Sequence, residues 1–135
     1  MLMLVAGSMP SLAGQTLAGP YTATVERVID GDTLAVRVPV WIGQELTVLV
    51  RVRGIDAPER RSRCAAERAL AKRASAFLAA MVAGGPVRLS QISGGKYFGL
   101  VLAEVTTADG NDVARRLLYR KLVRPYRGKA RAGWC

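Results

Sequence analysis

The sequence lacks histidine entirely and is short of acidic residues. Without histidine, an imidazole general base and imidazole metal ligands are both excluded. The chain has 10 acidic residues against 20 lysines and arginines, which leaves a net charge of +10. That balance favours a polyanionic partner: nucleic acid, an acidic polysaccharide or an anionic membrane surface.

The N-terminal apolar stretch is too short to span a bilayer, because it ends after residue 13. Ser11 and Ala13 have the small-residue spacing that precedes a signal-peptidase cut. We therefore interpret residues 1–20 as a signal-like segment and linker, which predicts a secreted or periplasmic protein without an integral membrane segment. The stretch has no basic N-terminal region, so a simple apolar N-terminus is the alternative. Residues 21–135 are expected to form one domain that acts as a monomer.

Only two cysteines are present, Cys64 and Cys135. An even number in an exported chain favours a disulfide between them. It would close a loop of about 70 residues, for which the chain-entropy model gives roughly 4 kcal/mol of stabilisation. The alternative is two unrelated thiols, and two cysteines alone form no metal site.

Alternation of apolar and polar residues predicts strands, and an alanine-rich stretch without proline or glycine predicts the main helix. The predicted strands are 21–29, 33–40, 45–53, 87–92 and 100–106, and the predicted helices are 63–83 and 111–122. A helix between the third and fourth of five strands is typical of an α+β, OB-fold-like β-barrel with two to three helices. An open antiparallel sheet covered by helices is the alternative.

Apolar residues recur at helical spacing in the first predicted helix, and we interpret them as its inward face. They are Ala66, Leu70, Ala74, Phe77 and Met81.

Four acidic residues stand where the first three strands turn: Asp30, Asp32, Asp56 and Glu59. If these strands are neighbours, the carboxylates converge at one end of the barrel. Carboxylate and carbonyl oxygens suit a hard cation such as Ca²⁺ or Mg²⁺. An Asp-Gly-Asp turn alone is weak evidence for a metal site, since most such turns are structural. Together with Arg51 and the Asp-Ala-Pro-Glu segment at 56–59, the pattern becomes more specific.

Several motifs together resemble the staphylococcal nuclease (thermonuclease) family. They are VIDGDT at 28–33, RVRGIDAPE at 51–59, ASAF at 74–77 and the ADG segment from residue 108. The resemblance covers roughly residues 21–126, in order and with sensible spacing. The C-terminal Trp-Cys resembles the end of a bacterial branch of that family.

The resemblance implies a Ca²⁺ site formed by Asp32, Asp56 and the backbone carbonyl of Ala57, with Asp30 supporting it. Glu59 would activate the attacking water, as a general base must. Its structural alternative is a carboxylate that interacts with a helix N-terminus.

The resemblance also implies substrate contacts. Arg51 would bind the scissile phosphate, and guanidinium groups match phosphate oxygens well. Lys96 and Tyr97 would line a nucleotide pocket, with Tyr126 near the substrate. Each of these side chains, and the basic tail after residue 123, is alternatively a solvated surface group.

One position departs from the family pattern. The family carries a second phosphate-binding arginine where this chain has Leu100. A leucine cannot bind phosphate, and losing one such donor costs about 10²–10³ in rate. The expected function is an exported Ca²⁺-dependent nuclease, a hydrolase that cuts phosphodiester bonds in single-stranded DNA or RNA, with activity impaired by Leu100.

The alternative function is a non-catalytic protein of the same fold that binds polyanions. Its ligand would be nucleic acid or an acidic exopolysaccharide, because some bacterial proteins that resemble this one are associated with exopolysaccharide synthesis.

Overall fold

The regular elements were identified in a computed structural model that describes Gly7 and residues 16–135. They are β1 (Tyr21–Asp30), β2 (Thr33–Trp41), β3 (Gln44–Val52), β4 (Ile55–Asp56), α1 (Ala65–Val82), β5 (Val87–Gly94), β6 (Leu100–Thr106), α2 (Val113–Tyr119) and β7 (Arg124–Pro125). Apart from Gly7, the signal-like stretch at 1–13 lies outside the described residues. Within that description, no helix is long and apolar enough to cross a membrane.

Five strands close into a barrel in the order β1-β2-β3-β6-β5. The β1 strand pairs with β5 to close it, and β3 pairs with β6 in parallel. The prediction of an α+β, OB-fold-like barrel is therefore confirmed, and the open-sheet alternative is excluded. The short strands β4 and β7 form a separate two-stranded sheet beside the barrel.

The barrel interior is filled by alternate residues of its strands, as period-two side-chain alternation requires. Leu34, Val36, Val50 and Val52 are almost fully buried, and Leu78 of α1 belongs to the same core. Since the inward positions alternate with outward ones, Arg51 is directed away from the core, between Val50 and Val52.

The prediction of the inward face of α1 is wrong, because the buried face is rotated about the helix axis from the predicted one. Of the five residues proposed, only Ala74 is buried; Ala66 and Leu70 are exposed, and Phe77 and Met81 are half-buried. The buried residues are Ala71, Ala74, Ser75, Leu78 and Val82. The helix carries alanine and other apolar residues on all of its sides, so the periodicity of the sequence alone does not define the buried face. The buried face includes Ala74, which approaches Gly31 in the β1–β2 turn.

Residues 17 and 18, interpreted from the sequence as part of a linker, are hydrogen-bonded to the barrel. Leu17 and Ile92 exchange two backbone hydrogen bonds of 2.8 Å, and Gln91 N–H donates to the Ala18 carbonyl. The chain therefore joins β5 before β1 begins.

Gly31, between Asp30 and Asp32, is buried beneath α1. A Cβ atom at this position would lie 2.7 Å from Ala74 Cβ and 3.3 Å from Ala57 Cβ. No side chain fits there without movement of the helix or of the Ala57 segment. The glycine thus sets the distance between α1 and the turn that carries the two aspartates.

We expect Gly31→Ala to lower the free energy of unfolding by about 1–3 kcal/mol, the usual cost of overpacking. Gly84→Ala is the matched control, because a Cβ there meets no atom within 4 Å. Adding Ala74→Gly to Gly31→Ala removes the clashing methyl group and should recover part of the loss, as a non-additive pair. Urea denaturation measures all four proteins. Equal stability of the Gly31 and Gly84 variants would contradict the close-packing argument.

Candidate functional site

The β1–β2 turn and the segment after β3 meet at one end of the barrel. Thr33 pairs with Arg51 across β2 and β3, and Val52 N–H donates a 2.8 Å hydrogen bond to the Asp32 carbonyl. The Asp32 side chain then accepts a hydrogen bond of 2.9 Å from Ala57 N–H. Adjacent strands therefore bring together carboxylates that lie 24 or more positions apart in the sequence.

Asp32 and Asp56 are both buried, each with 3% of its surface exposed. Arg51 lies between them: its Nη1 is 3.5 Å from Asp32 Oδ2, and its Nη2 is 3.5 Å from Asp56 Oδ1. Burying two carboxylates is costly unless cations or hydrogen bonds compensate. Arg51 therefore compensates part of the charge of both carboxylates.

The oxygen atoms here fit a hard cation. Asp56 Oδ1 is buried and accepts no hydrogen bond of acceptable geometry, although two arginines approach it as ion-pair partners. Within residues 16–135, no three acidic or cysteine side chains cluster closely enough to form a metal site by themselves. A cation would therefore bind the two carboxylates and the Ala57 carbonyl, and water would complete the six to eight oxygen ligands that Ca²⁺ takes.

Asp30, at the end of β1, is half-buried beside this pair. Its Oδ1 accepts a 3.0 Å hydrogen bond from Arg60 N–H. Burial is the largest influence on its pKa and raises it; the Arg60 hydrogen bond opposes that rise, and the nearby charges of Asp32 and Glu59 add to it. The ionised form of Asp30 is thus less favourable in the folded protein than in the unfolded chain.

A raised folded-state pKa means that Asp30 stabilises the fold fully only below its usual pKa of 3.8, and that this contribution is lost as the pH rises through the folded-state value. We therefore expect the free energy of unfolding of Asp30→Asn, taken relative to that of wild type, to be higher at pH 7 than at pH 3. The asparagine oxygen can still accept from Arg60. Urea denaturation of both proteins at the two pH values measures this difference. A difference that does not change with pH would contradict it.

Glu59 extends from the loop after β4 and is half-exposed. Its backbone N–H donates a 2.7 Å hydrogen bond to Glu67 Oε2, while Ser62 Oγ donates to Glu67 Oε1 at 3.1 Å. Glu67 therefore holds the loop that carries Glu59. Sequence reasoning missed Glu67, although it stands three residues after Cys64, the N-cap of α1, at the spacing of a capping box.

The C-terminal tail enters the same site. Arg131 Nε lies 2.6 Å from Asp56 Oδ1, its Nη2 donates to the Ala57 carbonyl at 3.1 Å, and its Nη1 contacts Glu59. Burial is the largest influence on the pKa of Arg131 and opposes its charge, but the polar and ionic contacts of the guanidinium with Glu59 and Asp56 together raise that pKa above the usual value. The tail is thus more than a solvated basic segment.

A disulfide joins Cys64 to Cys135, with the Cα atoms 6.1 Å apart. Trp134 Nε1 donates a 3.2 Å hydrogen bond to Asp56 Oδ2, and the Arg124 guanidinium lies 3.7 Å from the centre of the Trp134 ring. Sequence reasoning missed Arg131 and Trp134 as site residues. The signal was available, because pairing Cys135 with Cys64 brings the residues just before it towards Glu59.

The predicted substrate-binding residues divide into two groups. Tyr126 lies beside Arg51, whose guanidinium carbon is 5.5 Å from its ring centre, and both line a cleft of about 320 Å³. Lys96 and Tyr97 are exposed in the turn between β5 and β6. They form no hydrogen bond or ion pair with the carboxylates in the part of the chain described, so their predicted role stays a prediction.

Leu100 lies on the outer face of the barrel. It pairs with Leu49, two positions from the Arg51–Leu102 pair, so its side chain is on the same face as Arg51. It packs against Gly95, where an added Cβ would lie 2.7 Å from Leu100 Cγ. This position contributes an apolar contact and no charge.

A larger cleft, of about 750 Å³, lies elsewhere among the described residues, between β1 and α1. Its lining carries a single acidic residue, Glu26, whereas Asp32, Asp56 and the arginines paired with them lie at the other site. We therefore assign the chemistry to the carboxylate end of the barrel.

Comparison with known proteins identifies the family of the chain. A family model described as staphylococcal nuclease homologue matches residues 49–131, more than half of the chain. The matched range includes Arg51, Asp56, Glu59 and Arg131, and Asp32 lies before it. No curated protein gives a significant match.

Proposed function

Because the chain belongs to the staphylococcal nuclease family, we propose that it is an exported, Ca²⁺-dependent nuclease that hydrolyses phosphodiester bonds in single-stranded DNA and RNA. One observation carries the proposal: Arg51 lies between the buried carboxylates of Asp32 and Asp56, with the Ala57 carbonyl and Glu59 alongside. This arrangement combines oxygen ligands, a phosphate-binding fork and a base.

The residues that would hold Ca²⁺ are Asp32, Asp56 and the carbonyl of Ala57. When bound, the cation would neutralise the phosphodiester and favour attack on phosphorus. The hydrogen bond from Ala57 N–H to Asp32 fixes the relative positions of the two ligand segments. Asp30 adds negative charge next to them without a direct bond to either aspartate.

Arg51 would bind non-bridging oxygens of the phosphate, and its fork would stabilise the charge that grows there during attack. It also donates to the Ile55 carbonyl at 3.4 Å, which helps to orient the guanidinium. Glu59 is half-exposed and so reaches solvent, from which it would take the proton of the attacking water. The hydrogen bond from its backbone N–H to Glu67 keeps the Glu59 carboxylate near the site.

Two features support export and a polyanionic substrate. The disulfide between Cys64 and Cys135 is typical of an oxidising compartment such as the periplasm or the cell exterior. The net charge of +10 attracts single-stranded nucleic acid over a distance of about one Debye length.

We expect purified protein to cut single-stranded DNA in Ca²⁺ and to stop when the metal is chelated. Glu59→Gln removes the base and should lower kcat by about 10²–10⁴, the usual contribution of a general base. Glu104→Gln, an exposed residue of β6, is the control for loss of one carboxylate. A gel-based cleavage assay measures all three. Cutting that persists in an Asp32→Ala/Asp56→Ala double variant would rule out this mechanism.

A second candidate is binding without cleavage. It is favoured by Leu100, which supplies no guanidinium, and by the contact of Arg131 with the atoms that would hold the metal. A protein of this kind would bind nucleic acid or an acidic exopolysaccharide through its positive charge. Its affinity would fall steeply with salt.

Leu100→Arg separates the two candidates, and Leu46→Arg, at an exposed site on β3, controls for the added charge. For a nuclease we expect the wild type to cut and Leu100→Arg to cut faster, because a second fork then faces the phosphate. Initial rates with Ca²⁺ give the comparison. A silent wild type beside an active Leu100→Arg variant would instead support binding as the function.

A further inference from the structure

Two arginines from different parts of the chain converge on one oxygen atom. Arg51 reaches Asp56 Oδ1 from β3, with Nη2 at 3.5 Å, and Arg131 reaches the same atom from the tail, with Nε at 2.6 Å. Both guanidinium groups therefore lie next to Asp56, where a phosphodiester bound beside this carboxylate would be within their reach. Among the described residues, these two side chains are the arginines that form ion pairs with Asp56.

The tail that carries Arg131 is held at several points. The disulfide links Cys135 to Cys64 at the start of α1, and Trp134 donates to Asp56 Oδ2. Arg124 lies against the Trp134 ring and donates a 2.7 Å hydrogen bond to the Gly133 carbonyl. The segment that carries Arg131 is thus held beside the site before any substrate binds, which limits the entropy lost when its guanidinium binds a ligand.

The present partners of Arg131 are the atoms that a cation and a water molecule would use. They are Asp56 Oδ1, the Ala57 carbonyl and Glu59. A cation on the first two would compete with the Arg131 guanidinium for them. The released N–H groups would then be next to the metal and open to solvent, since the Arg131 side chain is 35% exposed.

We propose that Arg131 is a catalytic residue: with metal bound, its guanidinium binds the scissile phosphate together with that of Arg51. The disulfide and Trp134 position it from the tail. This inference rests on the proposed function, and it gives the second guanidinium a source other than the β6 position occupied by Leu100.

The test compares wild type, Arg131→Ala, Arg131→Lys and Lys129→Ala. Lys129 is an exposed residue of the same tail, so its variant controls for the loss of one positive charge. Binding is measured in Ca²⁺ by fluorescence anisotropy with a short single-stranded phosphorothioate oligonucleotide, which resists cutting. Steady-state cleavage of the ordinary oligonucleotide gives kcat and KM. Free-thiol titration and circular dichroism verify that each variant keeps its disulfide and its fold.

We expect Arg131→Ala to bind about tenfold or more weakly than Lys129→Ala, as loss of a charged hydrogen bond implies, and to lose about 10²–10³ in kcat. Arg131→Lys should retain most of the affinity and little of the kcat, because lysine keeps the charge and lacks the fork. A Cys64→Ser/Cys135→Ser double variant should change in the same direction as Arg131→Ala, since it frees the tail.

Several results would overturn the proposal. Arg131→Ala could bind and cut like Lys129→Ala, or it could cut faster than wild type, in which case the guanidinium blocks the metal site. If wild type binds without cutting in Ca²⁺, the proposed nuclease function fails and the catalytic role of Arg131 fails with it, whereas a wild type that cuts beside an Arg131→Ala variant that cuts equally well overturns the inference alone. If wild type binds no oligonucleotide, both fail.

Discussion

The hydrogen bond from Ala57 N–H to the buried Asp32 carboxylate is the interaction on which the rest of the site depends. It joins the β1–β2 turn to the segment that follows β3, so the two parts of the site move as one. Gly31 allows this contact, because only a residue without a side chain lets α1 approach the turn so closely. The packing of α1 against the turn and the positions of the carboxylates therefore depend on each other.

Charge compensation shapes the site around that contact. Two aspartates are almost fully buried, and a half-buried third beside them has a raised pKa. Arg51 and Arg131 offset the negative charge in the protein as it stands, from the barrel and from the tail respectively. The proposed Ca²⁺ would have to compete with Arg131 for Asp56 Oδ1 and the Ala57 carbonyl.

The tail shows how a short covalent constraint extends a small fold. A disulfide between residues 71 positions apart brings the last residue to the start of α1. The chain-entropy model gives such a loop about 4 kcal/mol of stabilisation. Its positional effect is as important here, because it holds Trp134 and Arg131 in contact with Asp56.

Much of this architecture could be predicted from the sequence. Period-two alternation located the five barrel strands, because inward and outward positions differ in polarity along each strand. The turn residues located Asp30 and Asp32, and the motif around Arg51 located Asp56 and Glu59. The buried face of α1 could not be predicted in the same way, since an alanine-rich helix has apolar residues on all sides and its orientation depends on what it packs against.

The sequence by itself determined the order of strands and helices along the chain, the excess of positive charge and the types of oxygen and guanidinium groups available. Only the tertiary structure decided which of them meet. Strand pairing brought Arg51 between Asp32 and Asp56, because adjacent strands place distant residues side by side. The disulfide directed Arg131 to Glu59 and Asp56, a contact between residues more than 70 positions apart that no local pattern encodes.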